Sequence, residues 1–292
     1  MWLILPGLVT YNIKIYEFMK CLTLLCGPLL ACCFATAQHQ LVKKWETDTL
    51  LKVPESVLYD GKNNLLYTAN IDGQPNEKDG KGSIGKVGLD GKIIAANWVQ
   101  GLNAPKGMGL HKKTLYVADV DEVVVIDTRT GSINKRIPVA GSTFLNDITV
   151  DNKGVVYVSD SRTKKVHRIK KGKVSTYLEN LQGPNGLLVH NKKLYVLDNG
   201  GLYRIEENKS LTKITDGMEG GTDGIENVTG DEFIVSCWGG VLYYVKADGS
   251  KEKLLDTREQ KVNSADIGYD ARNRIVYVPT FWKNNVIAYE LK

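Results

Sequence analysis

Four oxygen-bearing side chains occupy the second position in four copies of a repeated seven-residue motif. They are Glu55, Asn146, Asn185 and Asp223. Two carboxylates and two amide oxygens suit a hard divalent cation, with Ca²⁺ as the first candidate and Mg²⁺, Mn²⁺ or Zn²⁺ as alternatives. None of the four histidines occupies such a position, which argues against a histidine-rich zinc site. The alternative is a hydrogen-bonded polar plug of the channel filled by water. With or without a metal, Lys106 from a fifth copy could pair with Glu55 or Asp223.

The elements that must position these side chains form a sixfold repeat. The second motif positions are 55, 106, 146, 185, 223 and 265, a mean spacing of 42 residues. Each copy continues into short strand-like segments separated by polar turns, and helical periodicity is nowhere sustained after residue 37. A period near 42 with four strands per unit is typical of a propeller blade. The sequence therefore predicts an all-β, six-bladed β-propeller with four antiparallel strands per blade.

The two ends of the repeat region are predicted to complete one blade together. The sixth copy ends after its third strand, at 285–291, and the segment 41–46 can supply the missing outer strand. Residues 38–292 are thus expected to form a single domain whose neighbouring blades bury each other's faces. Because the first strand of each blade lines the central channel, the second motif residues should converge at one channel mouth. Tyrosines recur in the second strands, and packing between blades explains them: Tyr67, Tyr116, Tyr157, Tyr195 and Tyr277. Aspartates recur just after those strands, and hydrogen bonds that stabilise turns explain them: Asp119, Asp160 and Asp198.

The first 37 residues have the composition of an export leader. A short basic stretch at Met19-Lys20 precedes an apolar run over 21–34, and Ala35-Thr36-Ala37 resembles a signal-peptidase site. We expect cleavage after Ala37, with Met19 as a possible true start, and a periplasmic or secreted mature protein. A membrane anchor is the alternative, although the run is shorter than the ~20 residues that span a bilayer. A second alternative is lipoprotein processing that leaves Cys32 lipidated and anchored.

Cysteine content and charge exclude several other classes of protein. Four of the five cysteines lie in the leader, so Cys237 alone remains and no internal disulfide can form. The formal charge is +5 and is spread along the chain in short clusters, which does not favour nucleic-acid binding. We expect a monomer without a transmembrane span in the mature chain, acting on a small molecule.

At the motif level the chain resembles the senescence marker protein/regucalcin/gluconolactonase family of six-bladed propellers, across about 41–292. Four segments carry the resemblance: Pro54-Glu55-Ser56-Val57, Asn146-Asp147, Pro184-Asn185-Gly186-Leu187 and Thr222-Asp223-Gly224-Ile225. The resemblance implies a metal-dependent lactonase. It also implies Glu55, Asn185 and Asp223 as metal ligands, with Asn146 holding a metal-bound water or the substrate.

The chain departs from this family at two places near the predicted site. Ser56-Val57 and Tyr59 replace the Gly-Pro and Trp that usually follow the first-blade Glu, and Phe144 stands where regucalcin-like members carry a sugar-binding Arg. These departures favour an uncharged lactone or ester over a sugar-acid lactone. Asp223 is the expected catalytic base, removing a proton from a water activated by the metal.

The remaining candidates concern substrate access and binding. Lys106, Trp238 and Trp282 are predicted to contact substrate, the two tryptophans as apolar walls or else as inter-blade packing. The polar, Gly-rich loop 71–83 is a candidate lid or simply a solvated loop. The alternative function is a non-catalytic propeller of the NHL type that binds a protein or glycan, since a fold alone does not define an activity.

Overall fold

The computed structural model describes residues 38–292, so the predicted leader, with Met19 and Cys32, lies outside the described residues. Across this range the regular structure consists of 24 β-strands and one 3₁₀ turn at Phe281–Lys283. None of the described helical segments is long and apolar enough to cross a membrane. The prediction of an all-β protein is confirmed.

The strands form six four-stranded antiparallel sheets, which are the six predicted blades. The N-terminal strand is β1 (Leu41–Glu46). The first blade comprises β2 (Pro54–Asp60), β3 (Leu65–Asn70), β4 (Gly82–Gly88) and β5 (Ile93–Leu102). The second blade comprises β6 (Pro105–His111), β7 (Thr114–Asp119), β8 (Glu122–Asp127) and β9 (Ile133–Pro138). The third blade comprises β10 (Leu145–Val150), β11 (Val156–Asp160), β12 (Lys165–Lys170) and β13 (Lys173–Leu178). The fourth blade comprises β14 (Pro184–His190), β15 (Lys193–Asp198), β16 (Gly201–Ile205) and β17 (Leu211–Thr215). The fifth blade comprises β18 (Thr222–Thr229), β19 (Glu232–Cys237), β20 (Val241–Val245) and β21 (Lys251–Asp256). The sixth blade comprises β22 (Gly268–Asp270), β23 (Ile275–Pro279), β24 (Val286–Leu291) and the N-terminal strand β1.

The N-terminal strand completes the sixth blade, as predicted. β1 pairs antiparallel with β24, so that Leu41 lies opposite Leu291 and Glu46 lies opposite Ile287. The inner segments of the sixth and first blades are also joined, because the Asp266 N–H donates to the Glu55 carbonyl at 2.9 Å. The two ends of the domain are therefore held by backbone hydrogen bonds, and the ring closes without a covalent link.

The apolar core lies between neighbouring blades. In the first interface, Tyr67 and Ile84 of the first blade pack with Met108, Val117 and Val124 of the second. The predicted packing role of the recurrent tyrosines is borne out, since all five are buried or half-buried against such clusters. Each blade depends on its neighbours to remove its apolar faces from water.

The recurrent aspartates at the ends of the second strands fix the entry into the inner strands. Both Asp119 and Asp198 accept backbone hydrogen bonds from the two residues that precede an inner strand, 103–104 and 182–183 respectively. Asp160 accepts the N–H of residue 143 and of the turn after β11. The predicted turn role is confirmed, and it places the second residue of the motif at the start of each inner strand.

Candidate active site

The six second motif positions lie where the inner strands begin, at one end of the central channel. Five are on β2, β6, β10, β14 and β18, and the sixth, Ala265, precedes β22. Glu55, Lys106, Asn146, Asp223 and Ala265 are buried, and Asn185 is partly buried.

Asn185 and Asp223, from the fourth and fifth blades, are in direct contact. The Asn185 Nδ2 donates to Asp223 Oδ1 at 2.8 Å. This bond orients the amide, because the opposite orientation would bring two oxygens together. Burial, together with the negative charge of Asp266, raises the pKa of Asp223 well above its usual range, and the amide donor opposes this rise. A direct hydrogen bond therefore joins two side chains that are 38 residues apart in the sequence.

Glu55 is the most poorly satisfied acidic group of the mouth. Its residue is 5% exposed, and its Oε2 has no hydrogen-bond donor among residues 38–292. Burial and the nearby charge of Asp223 raise its pKa well above the usual range, whereas Lys106 opposes the rise. Asn185 Oδ1 is a second buried acceptor for which the described residues provide no donor. Unpaired buried acceptors are costly, so the mouth is built for a group that they can bind.

The donor set fits a cation that prefers oxygen ligands. The two unsatisfied acceptors, Glu55 Oε2 and Asn185 Oδ1, belong to predicted ligands, and Asp223 adds a second carboxylate beside Asn185. Within the described range no three His, Cys, Asp or Glu side chains lie close enough to hold a metal. A cation here would therefore rely on the amide oxygens as well as the carboxylates, which is chemistry typical of Ca²⁺ rather than of zinc.

Asn146 lies beside a cavity that opens at the mouth. Its Nδ2 donates to Ser161 Oγ at 3.0 Å, and Ser161 Oγ donates to the Pro184 carbonyl at 2.7 Å, which links the third and fourth blades. Asn146, Ser161, Asn185 and Thr222 line the cavity, whose volume is about 360 Å³. Of the predicted site residues, the structure thus brings Asn146 and Asn185 to one cavity.

Lys106 is buried beside these groups but forms no ion pair. The residue is 1% exposed, and its Nζ donates to the Ala104 carbonyl at 3.0 Å. None of the carboxylates in the described part of the chain lies within ion-pairing distance of it, so the pairing with Glu55 or Asp223 that the sequence allowed is not formed. Burial lowers the pKa of Lys106 to about 8, although Glu55 and Asp119 oppose the change.

A second polar layer lies one residue further along the inner strands, and sequence reasoning missed it. Ser56 Oγ donates to Asp266 Oδ2 at 2.6 Å, and the Leu187 N–H donates to Asp147 Oδ2 at 2.6 Å. The repeat contains a sequence signal for this layer, because the third motif position is glycine in three copies and Asp in two. The glycines make room, since a Cβ at Gly107 would lie 2.3 Å from Asp147 Oδ1.

Below this layer the channel contains a cavity of about 310 Å³ lined by Ser56, Asp147, Glu226 and Asp266. Burial, with the charge of Asp266, raises the pKa of Glu226 to about 8, and the Tyr269 N–H opposes the rise. Burial also raises the pKa of Asp266 to about 7, against the hydrogen bond from Ser56. The channel is therefore acidic by composition but holds carboxyl groups that retain protons readily.

The opposite side of the mouth is apolar. Ala265 packs with Ile71, Ala104, Val120 and Phe281, which come from the first, second and sixth blades. Trp238 and Trp282 each contact the Phe281 ring edge-on, with centroid distances of 5.5 and 4.8 Å. They are 41% and 48% exposed, so they are not buried between blades. This exposure does not fit the alternative of packing between blades, and contact with a substrate stays a prediction.

The predicted lid segment 71–83 contains an irregular loop that ends where β4 begins, at Gly82. An ion pair of 2.8 Å between Lys78 and Asp121 connects the loop to the second blade. Both side chains are exposed, so solvent screens the pair and it adds little to stability.

Comparisons with known proteins identify the fold but not the family. No protein-family profile matches the chain, and no curated protein matches it. Among solved structures, a candidate gluconolactonase superimposes with a TM-score of 0.66 at 15% identity, covering 88% of this chain and 93% of that one. Virginiamycin B lyase from Staphylococcus aureus, bound to quinupristin, gives 0.60 at 14% identity, covering 87% and 99%. A chain of the nidogen/laminin complex gives 0.63 at 16% identity, covering 75% and 85%. At such identities the likeness establishes a six-bladed propeller, a fold found in enzymes and in binding proteins.

Proposed function

We propose that this protein is a metal-dependent hydrolase of lactones, acting at the channel mouth. The observation that carries the proposal is a pair of buried acceptors, Glu55 Oε2 and Asn185 Oδ1, which have no donor in the described part of the chain; Asn185 lies beside the Asp223 carboxylate. Ca²⁺ is the preferred ion, and Mg²⁺, Mn²⁺ and Zn²⁺ are the alternatives. When bound, the ion would supply Lewis-acid polarisation of the lactone carbonyl.

The residues of the mouth divide the remaining work between them. Glu55, Asn185 and Asp223 hold the ion, and Asn146 orients the substrate or the attacking water from the wall of the 360 Å³ cavity. Asp223 accepts the proton of that water. Asn185 holds Asp223 Oδ1, which leaves Oδ2 for the reaction.

Substrate binding is assigned to the two sides of the mouth. Trp238 and Trp282 provide an exposed apolar wall on the side of the sixth blade, and Lys106 contributes on the side of the second. The loop 71–83 limits access. With the leader that the sequence predicts, the reaction would take place in the periplasm or outside the cell, by a protein either free or anchored through Cys32.

The experiment measures metal-dependent stability and lactone hydrolysis together. Thermal unfolding is recorded in Ca²⁺, in Mn²⁺ and in chelator, and acid release is followed on a panel of lactones that includes D-glucono-1,5-lactone. Asp223→Asn and Glu55→Gln should abolish both the metal-dependent shift and hydrolysis. Asp231→Asn, which removes an exposed carboxylate at the far end of the same blade, is the matched control and should retain both. Unchanged turnover in Asp223→Asn would refute the assignment.

A second candidate is a non-catalytic propeller that binds a protein or glycan. Two exposed tryptophans on one face favour it, because tryptophan is enriched at the centres of binding surfaces. The altered first-blade motif, Ser56-Val57, also agrees with lost catalysis. If neither a metal-dependent shift nor hydrolysis of any lactone is found, this function is preferred. A glycan array probed with the wild-type protein and with Trp238→Ala would then test it directly.

A further inference from the structure

Two cations share one aromatic ring at the channel mouth, and neither forms an ion pair within residues 38–292. The ring is Phe144, which precedes the inner strand of the third blade. Lys106 Nζ lies 4.6 Å from its centroid, and Arg162 Cζ lies 4.9 Å from it. The two positive groups are therefore no more than 9.5 Å apart, the total of these distances. Like charges this close repel each other, so the arrangement favours an anion between them.

Both cations have unused hydrogen-bonding capacity. Among the described residues, Lys106 donates to the Ala104 carbonyl alone, although an ammonium carries three N–H groups and the residue is 1% exposed. Arg162 is exposed, and within residues 38–292 its side chain makes no hydrogen bond or ion pair, so water is all that a ligand would have to displace from its guanidinium. A planar fork of this kind matches a carboxylate in a two-point hydrogen bond.

The position of Arg162 is determined by the fold. Asp160 Oδ1 accepts the Arg162 N–H at 3.1 Å, and the Ser161 N–H donates to the Phe144 carbonyl at 3.2 Å. The turn that carries Arg162 is thus fixed against Phe144, next to Ser161, which contacts Asn146. The free cations therefore lie at the same mouth as the proposed ligands Asn185 and Asp223.

We infer that Lys106, Phe144 and Arg162 form a subsite for a carboxylate of the substrate, separate from the group that reacts. This rests on the proposed function in assuming that the substrate is a lactone. It reverses the expectation that Phe144 makes the substrate uncharged, because Arg162 brings a guanidinium to the face of the same ring. The favoured substrate class is a lactone of a sugar diacid or uronic acid, which retains one free carboxylate after ring closure.

The direct test is calorimetric titration of the metal-free wild-type protein, prepared on a chelating resin, with D-glucarate and with the neutral D-sorbitol. Glucarate should bind at least ten times more tightly than sorbitol. Arg162→Gln should weaken glucarate binding about tenfold, which is the loss expected for one charge-assisted contact. The matched control is Arg168→Gln, because Arg168 also lies over an aromatic ring of the third blade, Tyr177 at 5.8 Å, but away from the mouth. It should leave binding unchanged.

A second variant tests the buried cation. Lys106→Met keeps an unbranched side chain one atom shorter and removes the charge, and circular dichroism checks that it folds. Glucarate affinity of the wild-type protein should fall as the pH rises through about 8, where Lys106 loses its proton, and Lys106→Met should lack this dependence. The charged groups that face Lys106 are Glu55, Asp119 and Arg162, and all are present in both proteins.

Failure of this subsite is distinguishable from failure of the proposed function. The calorimetry needs no metal and no turnover, so it decides the subsite even if no lactone is hydrolysed. If hydrolysis occurs, Arg162→Gln should raise the KM for D-glucaro-1,4-lactone and leave that for D-glucono-1,5-lactone unchanged. Equal glucarate affinity in Arg162→Gln and wild type, or equal binding of glucarate and sorbitol, would overturn the inference.

Discussion

Replacing Glu226 by Gln should remove part of the pH dependence of folding. Glu226 lies on β18 and borders the 310 Å³ channel cavity. The charged groups that face it are Asp266 and Asp147, which line the same cavity, and the Tyr269 N–H opposes the rise of its pKa. Burial and Asp266 raise its pKa from 4.5 to about 8, so the folded protein holds this proton more tightly than the unfolded chain does. Glutamine has the shape of the protonated acid and never ionises.

The sign of the effect follows from proton linkage. A carboxyl with a raised pKa stabilises the fold fully below about pH 4.5, and this contribution is lost as the pH rises through about 8. A pKa change from 4.5 to about 8 corresponds to about 5 kcal/mol. Because Glu226 keeps partial access to the channel cavity, solvent there screens the charge, and the expected effect is about 2 kcal/mol. For a domain of this size, that is roughly 6 °C in Tm.

The assay is thermal and urea unfolding at pH 5, 7 and 9 without divalent ions. Wild type and Glu226→Gln should be equally stable at pH 5, and the variant should be more stable by about 2 kcal/mol at pH 9. Glu259→Gln, which removes one exposed carboxylate from the outer surface, is the matched control. If stability falls by the same amount from pH 5 to pH 9 in wild type and Glu226→Gln, the reasoning about this buried carboxyl is wrong.

Three further predictions concern packing and reactivity. Gly107→Ala should destabilise the protein by about 3 kcal/mol in urea unfolding, because its Cβ would lie 2.3 Å from Asp147 Oδ1. Gly183→Ala is the control and should have little effect, because the space around Gly183 is open. Equal losses of stability in the two variants would contradict this. Cys237 should react with a thiol reagent only after unfolding, since burial raises its pKa to about 12, and labelling of the native protein at pH 8 would refute this. Trp45→Ala should lower the free energy of unfolding by about 2 kcal/mol through loosening of ring closure, and unchanged urea stability would show that β1 contributes little.

The repeat made the fold predictable. A motif recurring every 38 to 51 residues identifies structurally equivalent positions without any knowledge of their distances. The number of blades, the strands within them and the closure by 41–46 followed from it, because a blade can bury its faces only against similar blades. The same equivalence placed Glu55, Lys106, Asn146, Asn185 and Asp223 at one end of the channel.

The sequence alone did not determine which side chains satisfy one another. The sequence allowed Lys106 to pair with Glu55 or Asp223, yet its Nζ donates to a backbone carbonyl and lies against Phe144. Arg162 had no place in the repeat pattern, because it belongs to a turn after the second strand and reaches the mouth only through the fold.

In the acidic layer of the channel, too, the sequence shows which residues are present and the tertiary structure decides what they contact. The sequence contains Asp147 and Asp266 where other copies have glycine, but the meaning of that substitution depends on the neighbouring blade. Each carboxylate fills space that a glycine leaves next to it, Gly107 for Asp147 and Gly224 for Asp266. Periodicity in a sequence therefore determines which residues are equivalent. Contacts across blades, and with them hydrogen bonds, burial and proton affinity, are decided by the tertiary structure, because they join residues about 40 positions apart.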